Sequence, residues 1–385
     1  MVMKAEVLQP QLRSEAAALY DFETGALLFS KAGDTSLPPA SMTKLMTLHL
    51  TYQALEEGLI TPETLVRIDD SGDFRNLPRR SSLMFLESGQ DVTVRQLMQG
   101  LAVPSGNDAA LVLARLIAGS EEAFVDRMNR ECERLGLEKM HFVDPAGLSE
   151  NNSVTPLEFG RFCMYYIEQH PEALRELHNL ARFTYPTEQD ISEGEPAEYG
   201  PVTQENYNIL IDRHPWVDGL KTGYIDESGY NIALTAEAGG RRLVGVLMGG
   251  PGTTPVQGAL TRAIDGTNLL SYGFYAFERV LPAAPEPELL RVWKGEQSWI
   301  APAAPKIDAR VLPREDARAL EYVYDYEPVL IAPISEQDQV GTLTLISHDR
   351  RLIQYPLFPE RSVARGGWFR VLIDSIILFF KSPGN

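Results

Sequence analysis

The order of strand-like and helix-like patterns is the feature of this chain that most restricts its fold. Residues 16–32 carry two apolar runs around a polar turn with Gly25, which predicts a β-hairpin. Residues 93–180 show mostly helical periodicity, and residues 229–250 carry two β-rich runs around a Gly-Gly turn. Another helical pattern follows in residues 258–277. Strands, a helical block, strands and a helix in this order predict an α+β domain in which helices flank an antiparallel sheet.

The composition of the chain changes near Leu281. The stretch that begins there, LPAAPEPELL, is rich in Pro, Ala and Glu and predicts a linker. Short strand-like runs in residues 287–359 predict a small all-β module of about the minimum size for a core of its own. We therefore expect a first domain in residues 1–280, a β-rich domain in residues 281–362 and a helical segment in residues 363–385.

The residue totals exclude several classes of partner and site. The formal net charge is −18, and an acidic surface repels phosphate backbones, so a nucleic-acid partner is not expected. Cys132 and Cys163 are too few for a disulfide scaffold, and we expect both to be buried apolar residues. The histidines and cysteines form no His-x-x-x-His or Cys-x-x-Cys pair, so neither a metal site nor a cofactor is expected. The sequence leaves homo-oligomerisation open.

The segment PPASMTKLMTL, residues 38–48, opens an apolar helical pattern with a serine and a lysine one turn apart. If the helix starts at Pro39–Ser41, this spacing puts the side chains of Ser41 and Lys44 on one face. Ser41 would then cap the helix, and the helix dipole would stabilise an alkoxide on it. A partly desolvated lysine loses basicity and can accept the serine proton. Taken alone, the pair is more typical of a capping serine and a surface lysine.

Two further motifs follow the first in a fixed order. The motif PSGNDAA places Ser105 and Asn107 on a short turn before a helix, and the motif DGLKTGYI places Lys221 on a strand. The ordered set is far more specific than any one of its elements. A second Ser-x-Asn, at Ser149–Asn151, has no following helix of the right kind and ranks below the first.

With these motifs the chain resembles a known family. SMTK, SGN and KTG are the motifs of penicillin-recognising serine enzymes, and the likeness extends through SSLMFLESGQDVTVRQLMQGLAVPSGNDAALVLA, FVDPAGLS, NYNIL and VDGLKTG. Over about residues 12–280 the chain is similar to the low-molecular-mass D-alanyl-D-alanine carboxypeptidases, the class C penicillin-binding proteins. The resemblance implies a β-lactamase/transpeptidase-like fold with an inserted helical block. It also implies that the β-rich module is a stalk and the last helix a membrane anchor.

The resemblance assigns catalytic roles to five side chains, of which the fifth, Lys221, belongs to the third motif. It implies a serine-type D-Ala-D-Ala carboxypeptidase that acts on peptidoglycan stem peptides. Ser41 would attack the carbonyl of the penultimate D-alanine, would also be acylated by β-lactams, and would give its proton to Lys44. Ser105 would relay a proton to the leaving D-alanine, and Asn107 would hold Lys44 and the substrate amide. Water would then hydrolyse the acyl-enzyme with Lys44 as the base again.

The third motif supplies binding groups by the same resemblance. Lys221 and Thr222 would bind the terminal carboxylate region of the substrate, and Gly223 completes this motif. The backbone N–H groups of the nucleophile and of Tyr224 would form the oxyanion hole, where one donor is worth about 3 kcal/mol in the transition state. Arg262, aligned by its offset from SYGF, would help to anchor the substrate carboxylate.

One departure from the family pattern is visible, because Tyr224-Ile225 stands where the family usually has His-Thr. The backbone N–H survives this change, but one hydroxyl contact to the carboxylate is lost. The change therefore bears on the rate and on β-lactam affinity more than on the type of reaction.

Several rival functions could use the same residues. A class A β-lactamase is disfavoured because its Glu-x-x-Leu-Asn signature is absent, and a Ser-His-Asp hydrolase because Gly-x-Ser-x-Gly is absent. A DD-endopeptidase that cuts peptidoglycan crosslinks remains an alternative, although such relatives generally lack the stalk and the anchor. A catalytically weak penicillin-binding protein with a role in cell shape also remains, although the intact Ser41 and Lys44 argue against it.

The C-terminal stretch RGGWFRVLIDSIILFFKSPGN has the pattern of an amphipathic helix. Arg370, Asp374 and Lys381 fall within about 40° of one another. The opposite side is covered by Trp368, Phe369, Leu372, Ile373, Ile376, Phe379 and Phe380. Such a helix is only about 20 Å long, against about 30 Å of hydrocarbon in a bilayer. Residues 350–385 are basic overall, which predicts attachment to an anionic membrane surface. The alternative is a terminal helix docked on its own protein or on a partner.

The N-terminal stretch MVMKAEVLQP lacks the uninterrupted apolar core of a secretory signal. Either the protein is cytoplasmic, or the chain is a mature form from which a signal has been removed. The later motifs favour the second interpretation, so we expect a location at the periplasmic or extracytoplasmic face of the cytoplasmic membrane.

Overall fold

The computed structural model describes residues 9–78, 81–187, 190 and 200–381. It divides into two compact units, Met1–Phe274 and Tyr275–Asn385. The eight N-terminal residues of the chain lie outside the described part.

The first unit combines a central sheet with a block of helices. The elements that begin in it are β1 (Ala16–Asp21), β2 (Leu27–Lys31), α1 (Lys44–Glu56), β3 (Leu65–Arg67), β4 (Asp91–Thr93), α2 (Val94–Ala102), α3 (Asn107–Ala118), α4 (Glu121–Arg134), α5 (Pro156–Gln169), β5 (Arg182–Tyr185), β6 (Val202–Glu205), α6 (Leu210–Arg213), β7 (Val217–Ile225), β8 (Gly229–Ala238), β9 (Arg241–Gly250) and α7 (Pro255–Ala276).

The sheet joins strands from the two ends of the unit in the antiparallel order β2-β1-β9-β8-β7. Consecutive residues of β1 reach helices on opposite faces. Tyr20 packs over Gly160 of α5, while Leu19 lies against Gly273 of α7. Because both faces are covered, β1 is buried along its whole length, and its residues 16–20 carry no charge. The predicted α+β domain with an antiparallel sheet flanked by helices is therefore confirmed.

Helix α1 runs through the interior of this unit. Every residue from Lys44 to Tyr52 is buried, so the helix has no solvent-facing stripe along this length. Its neighbours include α2, α3, α4 and α5, which form the predicted helical block. The turn that precedes α1 is thereby fixed to the core of the unit.

The helix does not begin where the sequence predicts. Ala40–Thr43 form a 3₁₀ turn, and α1 starts at Lys44, with no side-chain cap at the N-terminus of either element. The prediction that Ser41 caps the helix was therefore wrong. The physical reason lies in the tight turn, which directs the Ser41 hydroxyl toward the Lys44 amine instead of toward a free backbone N–H.

The second unit is a small β-rich body with one helix at its C-terminus. Its elements are β10 (Phe277–Val280), β11 (Leu290–Trp293), β12 (Trp299–Ile300), β13 (Arg310–Pro313), α8 (Arg314–Arg318), β14 (Leu320–Tyr326), β15 (Leu330–Ile331), β16 (Gly341–Ser347), β17 (Arg350–Leu357) and α9 (Trp368–Lys381). Strands β14, β16 and β17 form an antiparallel sheet, and β11 pairs with β12 and β15. Leu343, Leu345 and Val292 are among the buried residues of its own core.

Helix α9 is held to this unit by its polar side. The Asp374 carboxylate is buried and accepts a hydrogen bond of 2.6 Å from the backbone N–H of Lys294. One turn earlier, the Arg370 guanidinium donates to the Ser298 hydroxyl. The exposed apolar side chains of the helix are Trp368, Phe369, Leu372, Ile373, Ile376, Ile377, Phe379 and Phe380. Among the helices that the structure describes, none has the length and apolarity needed to span a bilayer.

Candidate active site

The structure brings the side chains of the first two motifs together around one amine. Lys44 Nζ donates to Ser41 Oγ at 3.0 Å, to Asn107 Oδ1 at 2.6 Å and to the Ala146 carbonyl oxygen at 2.6 Å. Ser41 is partly exposed on its 3₁₀ turn, whereas Lys44 and Asn107 are buried. The amine is therefore fixed between a reachable hydroxyl and two interior acceptors.

These contacts suit an amine that exchanges a proton with the serine. Burial lowers the pKa of Lys44 from 10.5 to about 7, although the nearby Asp144 and Asp108 carboxylates oppose the shift. A neutral amine has two N–H donors and one lone pair. If the donors stay on Asn107 and Ala146, the lone pair points at the Ser41 hydroxyl and can accept its proton.

The second motif also contributes a buried hydroxyl, that of Ser105, to the cleft that Ser41 lines. Ser105 precedes α3 with φ +62°, and its Oγ has no hydrogen-bond partner among the described residues. The adjoining Asp108 carboxylate accepts backbone N–H bonds from residues 84–86 and from Ala109. Asp108 thus links the start of α3 to the separate segment that contains residues 84–86. Ser105 is left with an unused donor that faces the cleft.

Strand β7 forms the other side of the site and approaches the nucleophile turn very closely. A Cβ atom on Gly223 would lie 2.4 Å from the Pro39 carbonyl oxygen, so this position requires glycine. Lys221 and Thr222 precede it and are buried. Burial, with the positive charges of Lys44 and Arg262, holds the pKa of Lys221 well below its usual value.

Arg262, on helix α7, reaches the same strand. Its guanidinium donates to the Gly223 carbonyl oxygen at 3.3 Å and lies 5.4 Å from the centre of the Tyr230 ring. Burial lowers its pKa to about 10. The ring of Tyr224 packs against that of Tyr230, with 4.3 Å between the ring centres. The Tyr224 hydroxyl donates to Asp226. An arginine and two tyrosines are therefore packed together beside the third motif.

A cleft of about 620 Å³ is lined by residues of the nucleophile turn, the second motif and β7. It is lined by Ser41, Ser82, Ser105, Gln204, Glu205, Asn206, Tyr207, Ile209, Thr222, Gly223, Tyr224, Tyr230, Pro255, Ala259 and Arg262. The positive charge of Arg262 repels the buried Lys221 amine, and a negative charge bound near both would relieve this repulsion. Although the whole chain is acidic, this cleft favours a ligand with an anionic group near β7.

Sequence reasoning missed three contributors to this site. Asp108 and Asp144 organise backbone segments through side-chain bonds, and Ala146 contributes only its carbonyl oxygen. These residues lie in segments that the sequence analysis quotes, since Asp108 belongs to PSGNDAA and the other two lie in the block FVDPAGLS. Their function could not be derived from spacing, because it depends on contacts with distant segments.

The lower-ranked Ser149–Asn151 pair lies apart from this arrangement. Neither residue lines the cleft, and the Ser149 N–H is bound to Asp144. Cys132 and Cys163 are free and buried, as their surroundings in the sequence predict. Within the described ranges, no group of three or more His, Cys, Asp or Glu side chains is placed to hold a metal ion.

Comparison with known families matches nearly the whole chain. The model of D-alanyl-D-alanine carboxypeptidase matches residues 3–252, and the model of the penicillin-binding protein 5 C-terminal domain matches residues 278–365. Among curated proteins, D-alanyl-D-alanine carboxypeptidase DacA of Escherichia coli (strain K12) is 32% identical over 377 residues. The alignment covers 96% of this chain and 89% of that protein.

Solved structures show the same likeness. Penicillin-binding protein 5 from Haemophilus influenzae has a TM-score of 0.72 and 28% identity, over 93% of this chain and 99% of that one. Penicillin-binding protein D2 from Listeria monocytogenes, in its cefotaxime-bound form, has a TM-score of 0.57 and 28% identity. It covers 69% of this chain and 99% of its own.

Gly147 offers a test of how tightly the nucleophile turn is packed. It has φ +78°, and a Cβ atom there would lie 1.9 Å from the Ala40 carbonyl oxygen. Gly147→Ala should therefore cost several kcal/mol of unfolding free energy, measured by urea titration. Gly136→Ala is the matched control, because Gly136 has φ +66° and nothing within 4 Å of the added atom. It should cost only about 1 kcal/mol. Equal losses in the two variants would contradict the close packing.

Proposed function

The chain belongs to the D-alanyl-D-alanine carboxypeptidase family, and we propose that it removes the terminal D-alanine from peptidoglycan stem peptides through an acyl-enzyme on Ser41. One observation carries this assignment: the buried Lys44 amine bridges the Ser41 hydroxyl and the Asn107 amide oxygen. Burial lowers the pKa of this amine to about 7, so the serine has a base that is available at physiological pH.

Acylation is the first step of the proposed reaction. Neutral Lys44 accepts the Ser41 proton as Oγ forms a bond to the carbonyl carbon of the penultimate D-alanine. The carbonyl oxygen becomes an oxyanion, for which we assign the backbone N–H groups of Ser41 and Tyr224 as donors. The close approach of Gly223 to Pro39 supports this pairing, because it brings the strand against the nucleophile turn.

Collapse of the tetrahedral intermediate releases D-alanine. The C–N bond breaks, and the leaving nitrogen takes the proton that Lys44 received, relayed through the Ser105 hydroxyl. The unpaired Oγ of Ser105, which lines the same cleft as Ser41, supports this role. A water molecule then attacks the ester carbonyl and gives a proton to Lys44. The bond between the carbonyl carbon and Ser41 Oγ breaks, Oγ takes that proton, and the shortened peptide leaves the free serine.

The free carboxylate of the substrate binds at the third motif in this proposal. Thr222 and Arg262 line the cleft at β7. The buried Lys221 is close enough to Arg262 for the guanidinium charge to lower its pKa. A bound carboxylate would relieve the repulsion between the two buried cations. It would also select for substrates that end in a free D-alanine.

The Tyr224-Ile225 departure has a structural counterpart. The Tyr224 ring packs against the Tyr230 ring at an angle of 31°, and its hydroxyl donates to Asp226. The Tyr224 side chain therefore forms a rim of the cleft. We expect this rim to affect β-lactam affinity and turnover, while the backbone N–H of residue 224 stays available to the oxyanion.

The first experiment tests the nucleophile. A labelled penicillin should add one covalent adduct to the wild-type protein, detected by intact-mass analysis, and Ser41→Ala should abolish it. The cefotaxime-bound form of the Listeria protein supports the choice of a β-lactam as the probe. Ser149→Ala is the matched control and should be labelled like the wild type, because Ser149 lies outside the cleft. An adduct that still forms on the Ser41→Ala variant would contradict the assignment of Ser41 as the nucleophile.

The second experiment separates carboxypeptidase from endopeptidase activity. A peptide that ends in D-Ala-D-Ala should release D-alanine, while a matched peptide that ends in D-Ala-L-Ala should be left intact. Faster turnover of a crosslinked dimeric muropeptide than of the pentapeptide would move the assignment to an endopeptidase. If labelling by penicillin occurs without release of D-alanine from any substrate, the protein is the catalytically weak alternative.

The remaining parts of the chain are given roles by the same proposal. We assign the catalytic domain to residues 1–280, the stalk to residues 281–362 and a membrane anchor to residues 363–385, on the extracytoplasmic face of the cytoplasmic membrane. The family match over residues 278–365 supports the stalk. The exposed apolar face of α9 and the excess of basic residues after Arg350 support attachment to anionic lipid.

The anchor predicts a measurable affinity for membranes. The full chain should co-sediment with vesicles that contain anionic phospholipid. Deletion of residues 366–385 should abolish this co-sedimentation. The double variant Phe379→Ser/Phe380→Ser should weaken binding at least tenfold, because these rings are 78% and 81% exposed and contribute apolar area to the bilayer. Tyr275→Ser removes a ring that is 76% exposed elsewhere and should bind like the wild type. Unchanged binding by the deletion variant would refute the anchor.

A further inference from the structure

The loop between α4 and α5 takes part in the site, although none of its residues belongs to the three motifs. Its Ala146 carbonyl oxygen is the third acceptor of the Lys44 amine, at 2.6 Å. The neighbouring Pro145 carbonyl oxygen accepts from the Thr47 hydroxyl at 2.6 Å. Gly147 packs directly on the Ala40 carbonyl. The loop therefore touches both the helix that carries the base and the turn that carries the nucleophile.

One carboxylate gives this loop its shape. Asp144 Oδ1 accepts from the backbone N–H groups of residues 146–148, at 2.8, 2.6 and 3.1 Å. Its Oδ2 accepts from the Ser149 N–H at 2.9 Å and from Asn152 Nδ2 at 2.8 Å. Five donors converge on this side chain, which an ionised carboxylate can satisfy and a neutral amide or hydroxyl cannot.

We propose that Asp144 is a positioning residue for Lys44: its carboxylate holds the Ala146 carbonyl on the amine, and its negative charge favours the protonated form of that amine. The inference rests on the proposed role of Lys44 as the general base. It adds a residue outside the three motifs that sets the pH at which the base becomes available.

The direction of the effect follows from the charges that face the amine. Burial lowers the pKa of Lys44, and the carboxylates of Asp144 and Asp108 raise it. The other lysine of the site, Lys221, has its own pKa lowered by burial and by the charges of Lys44 and Arg262. The neutral amine is the form that accepts the Ser41 proton. Without the Asp144 charge the protonated form is less stable, the pKa falls, and the acidic limb of the rate profile moves to lower pH.

A residue that merely supports the fold would behave differently. Loss of loop order would lower the acylation rate at every pH and would leave the midpoint of the acidic limb in place. The position of the limb therefore separates a positioning role from a structural one.

The experiment compares four variants with the wild type. Asp144→Asn and Asp144→Ser remove the charge but keep an oxygen that can accept from the N–H groups of residues 146 and 147. Asp144→Asn/Asn152→Asp moves the charge to the partner side chain and keeps a bond between the two. Glu150→Gln is the matched control, because it removes one charge from an exposed position in the same loop.

The measured quantity is the second-order rate constant for acylation by a labelled penicillin, followed from about pH 5 to 9. The neutral variants at position 144 should move the midpoint down by about 0.5 to 1 pH unit. At one pH unit below the wild-type midpoint, the rate constant of these variants, expressed as a fraction of its own plateau, should be roughly three- to fivefold higher than that of the wild type. Glu150→Gln should keep the wild-type midpoint, and the double variant should return toward it.

The outcomes separate this inference from the proposed function. If wild-type Ser41 takes no adduct, the proposed function fails first. If Ser41 is acylated but either folded neutral variant keeps the wild-type midpoint, or Glu150→Gln shifts it equally, Asp144 has no such role. If neither neutral variant folds, the double variant decides. The double variant keeps a carboxylate beside the loop, at position 152. The proposal would be overturned if its midpoint were as low as the midpoint expected for the neutral variants.

Discussion

The burial of one lysine amine is the constraint on which the active site depends. In water the Lys44 side chain would be protonated and could not accept a proton, so the interior must lower its pKa to about 7. An isolated buried ammonium is costly, and three acceptors around Nζ make the charged form tolerable. The same three contacts orient the neutral form. Burial favours the neutral form of the Lys44 amine, and hydrogen bonding favours the protonated form. Because these two effects nearly balance, both forms are accessible near neutral pH.

The fold explains how segments separated by many residues meet around this amine. Helix α1 crosses the interior and presents Lys44 at its first position, while α3 starts nearby and presents Asn107. Strand β7 forms the edge of the sheet, and its Gly223 lies against the nucleophile turn. Each motif therefore lies at the end or edge of a buried element. Such places combine rigid support with access to solvent.

Much of this arrangement could be predicted from local patterns. The hairpin around Gly25, the helical block and the paired strands around Gly239 each depend on periodicity and turn residues within a short window, and the structure confirms them. The ordered motifs likewise predicted which side chains form the candidate site, and these assignments remain predictions. The left-handed backbone of Ala40 and the bonds of Asp144 could not be predicted. They are set by contacts between distant segments, which leave no periodic signal in the sequence.

The polar side of α9 has a consequence for the thermodynamics of this helix. A free peptide of fourteen residues is marginally helical in water, because ordering each backbone residue costs about 1–2 kcal/mol of conformational entropy. Here the buried Asp374 and the Arg370 contact hold the helix in shape while it is still surrounded by water. Its apolar side chains are thus displayed by an already ordered backbone. A surface that receives them gains the benefit of apolar burial without having to order the chain at the moment of contact.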